Sequence, residues 1–563
     1  MSNFSFSQSP VIRHGRSRFD LSHPIKTSLN VGELVPFDVQ EIYPGDTFKV
    51  KTEFVSRLAS QFVRPVVDNL FMDIYHFFVP SRLLYDKFPN VFGENTESAW
   101  ANTQEYEVPT IPKGSIVPEK SVGDYLGLPT KQPLGANVSI LPFRAFAKVY
   151  EDWFRDQNNI NPMHIQKGEL ASSETFNDNA WAPNNYMGKL PKVAKLHDYF
   201  TSCLPAPQKG SSVDLPLSGN APVNVTVPTT DIMAYASGTH DMGSPLKIGS
   251  SGSFNNVRGL YLRGEGLQGE ASVLASTGAA SVPGGSGIQL QWSNLQTAPV
   301  NASGIADLSD ASAATVNDLR FAFQLQKMLE RDARSGTRFV EFIQSHFGVS
   351  AGDYRLQRSE FLGGKRTPIS IHQVTQTTGS ADANAPLGQV GAFSLSGGRS
   401  RYTKGFTEHG FVISVCCIRQ FHTYQQGIER FWLRSKRTQF YDPVFAHIGE
   451  QPVYKVELYG SADENSVFGY NEAWADLRRR QAKVTSEMRS NATNSYDMWH
   501  FADEYSNAPV LSEDFINETA DFVDRTIVVP HTSADQFLID FYVNALAYRV
   551  MPTYSVPSLI DHD

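Results

Sequence analysis

The run Asn69–Val79, reading NLFMDIYHFFV and stopped by Pro80, constrains the fold most strongly. Aromatic and branched side chains occupy both alternating sets of positions. A strand covered on both faces can bury such a run. A short distance upstream, after the turn signal Pro44-Gly45-Asp46, the pattern is different. Phe48, Val50, Thr52 and Phe54 alternate there with Lys49, Lys51 and Glu53. Period two of this kind predicts a strand with one dry and one wet face. Further strands are expected at Gly410–Arg419, at Val453–Tyr459, and over Gln536–Met551, the last as one strand with a bulge or as two. Long irregular stretches separate these strands. The spacing argues against parallel βαβ repeats and for an antiparallel barrel or sandwich with large loops.

Helices are few. Pro142 precedes Phe143, Phe146, Val149, Tyr150, Trp153 and Phe154, which share one side of a 3.6-residue helix. A second helix is predicted over Val316–Arg334, with Leu319, Ala322, Phe323, Leu325, Met328 and Leu329 apolar, Arg331 and Arg334 at its negative end, and Gly336 as cap. A short third helix is predicted over Arg338–Phe347. Residues 208–316 stand apart: Gly, Ser, Ala and Thr dominate, and Lys209, Lys247, Arg258 and Arg263 are their only Lys or Arg. Short strand-like pieces, Val223–Val227 and Gly259–Arg263, survive in this stretch. We read it as a surface excursion with its own small fold rather than a linker.

The charge balance narrows function. The 563 residues carry a formal net charge of −9, so a uniformly basic nucleic-acid binder is excluded, and contact with DNA or RNA must come from a segregated patch. Three cysteines, Cys203, Cys416 and Cys417, offer neither a disulfide framework nor a Cys-rich zinc site. On a strand, Cys416 and Cys417 would point to opposite faces, as small buried hydrophobes. The N-terminus lacks an apolar core of signal-peptide length, and no segment approaches membrane-spanning length.

The search for an active site singles out no residues. Gly264-Glu265-Gly266-Leu267-Gln268-Gly269 fits the dinucleotide pattern but is followed by a poor helix inside the Gly-rich stretch. His409 and His422 flank the Cys416 strand and read as structural. No catalytic residue, cofactor or metal ligand is assigned. Basic runs interleaved with aromatics are more informative. Arg430–Tyr441 reads RFWLRSKRTQFY, with Arg430, Arg434, Lys436 and Arg437 among Phe431, Trp432, Phe440 and Tyr441. Cations there can meet phosphates while rings stack on bases. Arg478, Arg479, Arg480, Lys483 and Arg489 form a second cluster, and Arg13, Arg16 and Arg18 a third in the N-terminal arm.

Longer strings carry a resemblance. RSRFDLSHPIKTSLNVGELVPFDVQEIYPGDTFKV (16–50), VVDNLFMDIYHFFVPSRLLYDKFPNVFGEN (66–95), GYNEAWADLRRRQAKVTSEMRS (469–490) and MWHFADEYSNAPVLSEDFI (498–516) resemble the major capsid proteins of gokushoviruses, a branch of the Microviridae. The resemblance implies a mainly β fold, an eight-stranded antiparallel jelly-roll barrel with long interstrand insertions and a few helices. It implies sixty copies in a T=1 icosahedral virion shell around circular single-stranded DNA, assembled in the cytoplasm of a bacterial host. Implied partners are the chain itself, genomic single-stranded DNA, small internal DNA-binding and pilot proteins, and a host surface receptor, without membrane insertion. The expected organisation is an arm at 1–30, barrel segments at 31–207 and 317–563, and a threefold protrusion at 208–316. The alternative is a carbohydrate-active β-sandwich enzyme, suggested by loops rich in Trp, Tyr and carboxylates; it predicts a carboxylate pair at hydrolase spacing.

Overall fold

In a computed structural model, the described residues are 15–92, 94, 106–210, 316–334, 345–347, 357–375 and 390–554, with the strand backbones lying between 219 and 308. The chain divides into two compact units, Met1–Ser211 with Met328–Asp563, and Ser212–Lys327. The principal strands of the first unit are β1 (Ser17–Asp20), β2 (His23–Leu29), β3 (Val35–Ile42), β4 (Thr47–Leu58), β5 (Leu70–Pro80), β6 (Glu360–Ile369), β7 (Ile371–Thr375), β8 (Val390–Gly405), β9 (Gly410–Gln420), β10 (Glu450–Tyr454), β11 (Val467–Glu472) and β12 (Phe537–Arg549).

Two antiparallel sheets dominate the unit. In the six-stranded sheet, β1 and β2 follow one another along one edge of β12, and β4, β8 and β7 continue from its other edge. The second sheet runs β6-β5-β9-β3. The hydrogen-bonded ladders end at the outer strands, so neither sheet closes into the expected barrel; two faces pack on one another instead. Phe37 of β3 stacks on Phe541 of β12 with ring centroids 4.1 Å apart. Phe54, Met72, Val412 and Val543 are buried in the same core. Each such side chain contributes roughly 1.5–3 kcal/mol through removal from water.

The two opening patterns explain how the sheets differ. On β4, Phe48, Val50, Thr52, Phe54, Ser56 and Leu58 are buried and the intervening residues are exposed. On β5 most residues of both sets are buried, because the far face of the four-stranded sheet is covered too. Phe77, Val79, Ile413 and Val415 meet the helix Leu141–Val149 in a second core. The paired cysteines divide as expected: Cys416 joins the core between the sheets and Cys417 the second core. Phe200, Phe468 and Phe515 centre a third core beneath the β10–β11 hairpin.

Some expectations need correction. Strand β10 ends at Tyr454 rather than continuing to Tyr459, because the Glu457 carboxylate accepts the Tyr454 N–H (3.0 Å) and folds Lys455–Glu457 into a 3-10 turn. Strand β12 is continuous, with no bulge in its pairing to β4. The helix Val316–Arg334 has the predicted bounds, yet Leu319, Phe323 and Met328 on its apolar side are exposed. Of the third helix only residues 345–347 are described, and they are helical. Gly336, Arg13 and the dinucleotide-like string lie outside the described residues. In the second unit, Gly219–Thr226 pairs with Asn301–Leu308, and Gly259–Leu262 with Ala271–Leu274, both antiparallel.

Candidate nucleic-acid interface

Beyond β9 the chain leaves the sheet, and buried charge anchors it. His422 lies between Asp503 (Nδ1–Oδ1 2.7 Å) and Glu518 (Nε2–Oε1 3.0 Å), and Lys195 reaches Asp503 at 3.3 Å. Burial opposes the imidazolium, but the two carboxylates outweigh it and raise His422 to about 9. Burial likewise works against the Asp503 carboxylate, which His422 and Lys195 hold down at about 2. This knot ties the exit of β9 to residues near 503 and 518. His409 serves elsewhere, stacked on Phe92 at 4.4 Å.

The first basic cluster follows as two 3-10 turns, Arg430–Leu433 and Arg437–Gln439. The Gln439 side-chain oxygen accepts N–H bonds from Ser435 (2.7 Å) and Lys436 (2.9 Å) and so fixes the second turn. The second cluster starts where Trp474 takes a left-handed backbone (φ 63°) into the helical turn Ala475–Arg478. Trp474 donates Nε1–H to the Phe445 carbonyl (2.8 Å) and meets Tyr441 edge-on at 5.4 Å. These contacts draw the two clusters, distant in sequence, around one groove of about 370 Å³. Tyr199, Glu429, Arg430, Phe431 and residues 476–481 line it.

The cations there differ in availability. Arg430 points inward, donating to the Pro452 carbonyl (2.8 Å) and facing Glu457 at 3.4 Å. Burial works against its charge, yet Glu457 and Tyr199 raise its pKa above the ordinary arginine value. Arg434 is largely buried against Asp476. Arg478 pairs with Glu472 at 2.6 Å, and Lys483 with Glu429 at 2.5 Å while lying over the Phe431 ring. Arg479 donates to the Asp198 carbonyl (2.7 Å) and Ser202 Oγ (2.9 Å) and has no ion pair among the described residues. Arg480 is 84% exposed and 3.8 Å from Glu429. Lys436 and Arg437 are exposed, with no ion pair among the described residues. Trp432 is 73% exposed beside Phe431, ring centroids 4.8 Å apart. Arg489 is drawn away to the Gln425 carbonyl (3.4 Å).

The N-terminal group is not part of this groove. Arg16 donates to the Gly45 carbonyl and to Thr47 Oγ1, and Arg18 on β1 lies opposite Tyr548 of β12. Sequence reasoning missed Tyr199, which lines the groove, and Asp198 and Ser202, which hold Arg479; all three lie far along the chain from both clusters, and nothing local marks them as part of the site. Asp476, within the basic string itself, was the visible sign that part of that charge would be neutralised. Among the described residues, Asp521, Asp524 and His531 could bring oxygen and nitrogen ligands together. Both Asp524 oxygens are already used, by His531 (2.5 and 2.9 Å) and Gln536 (2.7 Å), so the trio reads as a turn lock.

No described helix is long and apolar enough to cross a membrane. Comparison with known proteins supplies the family. Residues 7–559 match the capsid protein (F protein) family. The chain is 38% identical to capsid protein VP1 of Spiroplasma virus 4, over 97% of this chain and 95% of that protein. It is 36% identical to capsid protein VP1 of Chlamydia phage 1 and of Bdellovibrio phage phiMH2K, in each case over 98% of this chain and 97% of the relative. These findings overturn the carbohydrate-active enzyme alternative. The chain belongs to the capsid protein (F protein) family, and its role is structural rather than enzymatic.

Proposed function

We propose that this major capsid protein forms a T=1 icosahedral shell of sixty copies around circular single-stranded DNA, and that the groove between the two basic clusters is one of its DNA contacts. The observation that carries the DNA reading is the convergence of Arg430 and Phe431 with Arg478, Arg479 and Arg480 on one groove, while Lys436, Arg437, Arg480 and the Trp432 ring of the same two clusters are open to solvent. Phosphates would take the free cations and an unstacked base the indole. An eight-stranded jelly roll fits the strand order, since β2-β12-β4-β8 faces β3-β9-β5-β6. The barrel segments are 31–207 and 317–563, preceded by an arm at 1–30 whose Ser17–Leu29 part joins the six-stranded sheet as β1 and β2. The charge-poor excursion 208–316 serves as the threefold protrusion that meets a bacterial receptor, and small internal DNA-binding and pilot proteins complete the virion.

Two measurements test this reading. The full-length chain should sediment as closed particles rather than as a stable monomer. Joint replacement of Lys436, Arg437 and Arg480 by Ala should lower the DNA content of those particles while subunits still fold. Unchanged DNA content would remove the groove from the reading, and a strictly monomeric chain would remove the shell.

A further inference from the structure

The open face of the six-stranded sheet carries cations that belong to neither cluster. On β4 the wet set is Lys49, Lys51, Glu53, Val55 and Arg57. Residues directly opposite on antiparallel strands share a face. Arg399 lies opposite Glu53, Arg401 opposite Lys51, and Lys26 of β2 opposite Asp540 of β12. Arg18, from the N-terminal group, joins at the edge opposite Tyr548, over whose ring Lys49 sits at 5.5 Å. Seven cations thus share the face with three carboxylates, Asp20, Glu53 and Asp540, a surplus of four in a chain whose net charge is −9.

Pairing makes the surplus available. Lys51 leans on Glu53 at 2.5 Å. Lys26, Lys49, Arg57, Arg399 and Arg401 have no ion pair among the described residues. The register sets Arg401 directly against Lys51. Two like charges so placed destabilise an isolated subunit, and an anionic partner relieves that repulsion. The same face exposes large apolar side chains beside the cations: Phe393, Leu395, Leu538 and Tyr542 are each 43–50% exposed. Arg57 lies between Leu395 and Leu538 in the register. Charge for phosphates next to rings for unpaired bases is the chemistry of single-stranded nucleic acid; a duplex would leave the rings without a base face.

We propose that this sheet face is a second contact surface for single-stranded DNA, separate from the groove. The inference rests on the capsid reading and extends it. In a test on the full-length chain, binding of a fluorescent oligothymidylate is followed by anisotropy across a salt series. Joint replacement of Lys26, Arg57, Arg399 and Arg401 by Gln should make the slope of log affinity against log salt shallower by about 0.7 per cation, roughly 3 in all. The single variants Arg57→Gln and Arg401→Gln should each give about a quarter of that, and Arg401→Lys should keep the wild-type slope. Tyr542→Ala with Phe393→Ala should weaken binding and leave the slope unchanged. Wild-type slope and affinity in folded multiple and single variants would overturn the proposal. So would lost particle assembly with DNA binding intact, which would make this face a contact between copies. If the wild-type chain binds no oligothymidylate at any salt, the DNA reading of the groove falls together with this one. If only the groove variants weaken binding, this proposal alone falls.

Discussion

In the groove, Glu457 faces Arg430, Asp476 holds Arg434, Glu472 holds Arg478 and Glu429 holds Lys483. On the open sheet face Lys51 leans on Glu53, and Lys26, Lys49, Arg57, Arg399 and Arg401 have no ion pair among the described residues. In the sequence the impression is the reverse: RFWLRSKR and LRRR look conspicuously basic, whereas Lys49, Lys51 and Arg57 look like the ordinary wet side of a strand. The difference comes from backbone geometry. Irregular loops bring acids back onto their own cations, and much of a dense basic run becomes scaffold. A strand in a sheet fixes its side chains in place, and a cation there meets only its own strand's neighbour two residues away, as Lys51 meets Glu53, and what the adjacent strands place beside it.

The largest effect should come from breaking a pair in the groove. Glu457→Ala leaves Arg430 largely buried without its carboxylate and also removes the acceptor for Tyr199 OH (2.9 Å). The expected loss is about 3–5 kcal/mol, seen as a lower midpoint in urea denaturation. If Glu457→Ala unfolds at the wild-type midpoint, the groove cations are not scaffold and the contrast fails.

Next is the pH response of the buried knot beside the groove. His422 is raised from 6.5 to about 9, so its contribution is fully present below pH 6.5 and is lost as pH rises through 9. The amount is on the order of 3 kcal/mol. Denaturation midpoints should fall between pH 7 and 10, and His422→Gln should flatten that limb. His76 has the opposite sign. Burial pushes it down to about 3, so its contribution is present above pH 6.5 and declines as pH falls toward 3.

A smaller effect should run the other way. Arg401→Gln removes the repulsion with Lys51 and should stabilise the isolated subunit by roughly 0.2–1 kcal/mol while weakening DNA binding. Stabilisation and lost binding in one variant would set this face apart from the groove, where Arg434→Ala should destabilise. The smallest effect is expected for Lys436→Ala with Arg437→Ala. Stability should stay within about 0.5 kcal/mol, and the salt slope should drop by about 0.7 for each residue. A thermal melt beside the salt series checks both.

Much of the fold was legible in the residues because hydrophobic periodicity is local. The alternation through Phe48–Phe54 placed β4 with one dry face, the solid run at Asn69–Val79 placed β5 between two covered faces, and Cys416-Cys417 divided between two cores. Each follows from a period of two within one strand. The termination of β10 was not legible, since it depends on one carboxylate capping a turn. Nor was the exposure of the apolar side of Val316–Arg334, since a helical period marks a face without saying what covers it.

The candidate site divides in the same way. The sequence by itself determined where cations and rings are dense, and the groove is indeed built at two of those places. Tertiary structure alone decided which charges are free. Coulomb energy depends on distance in space, and the partners that matter lie far apart along the chain: Asp476 for Arg434, Lys51 for Arg401, and Asp503 for His422.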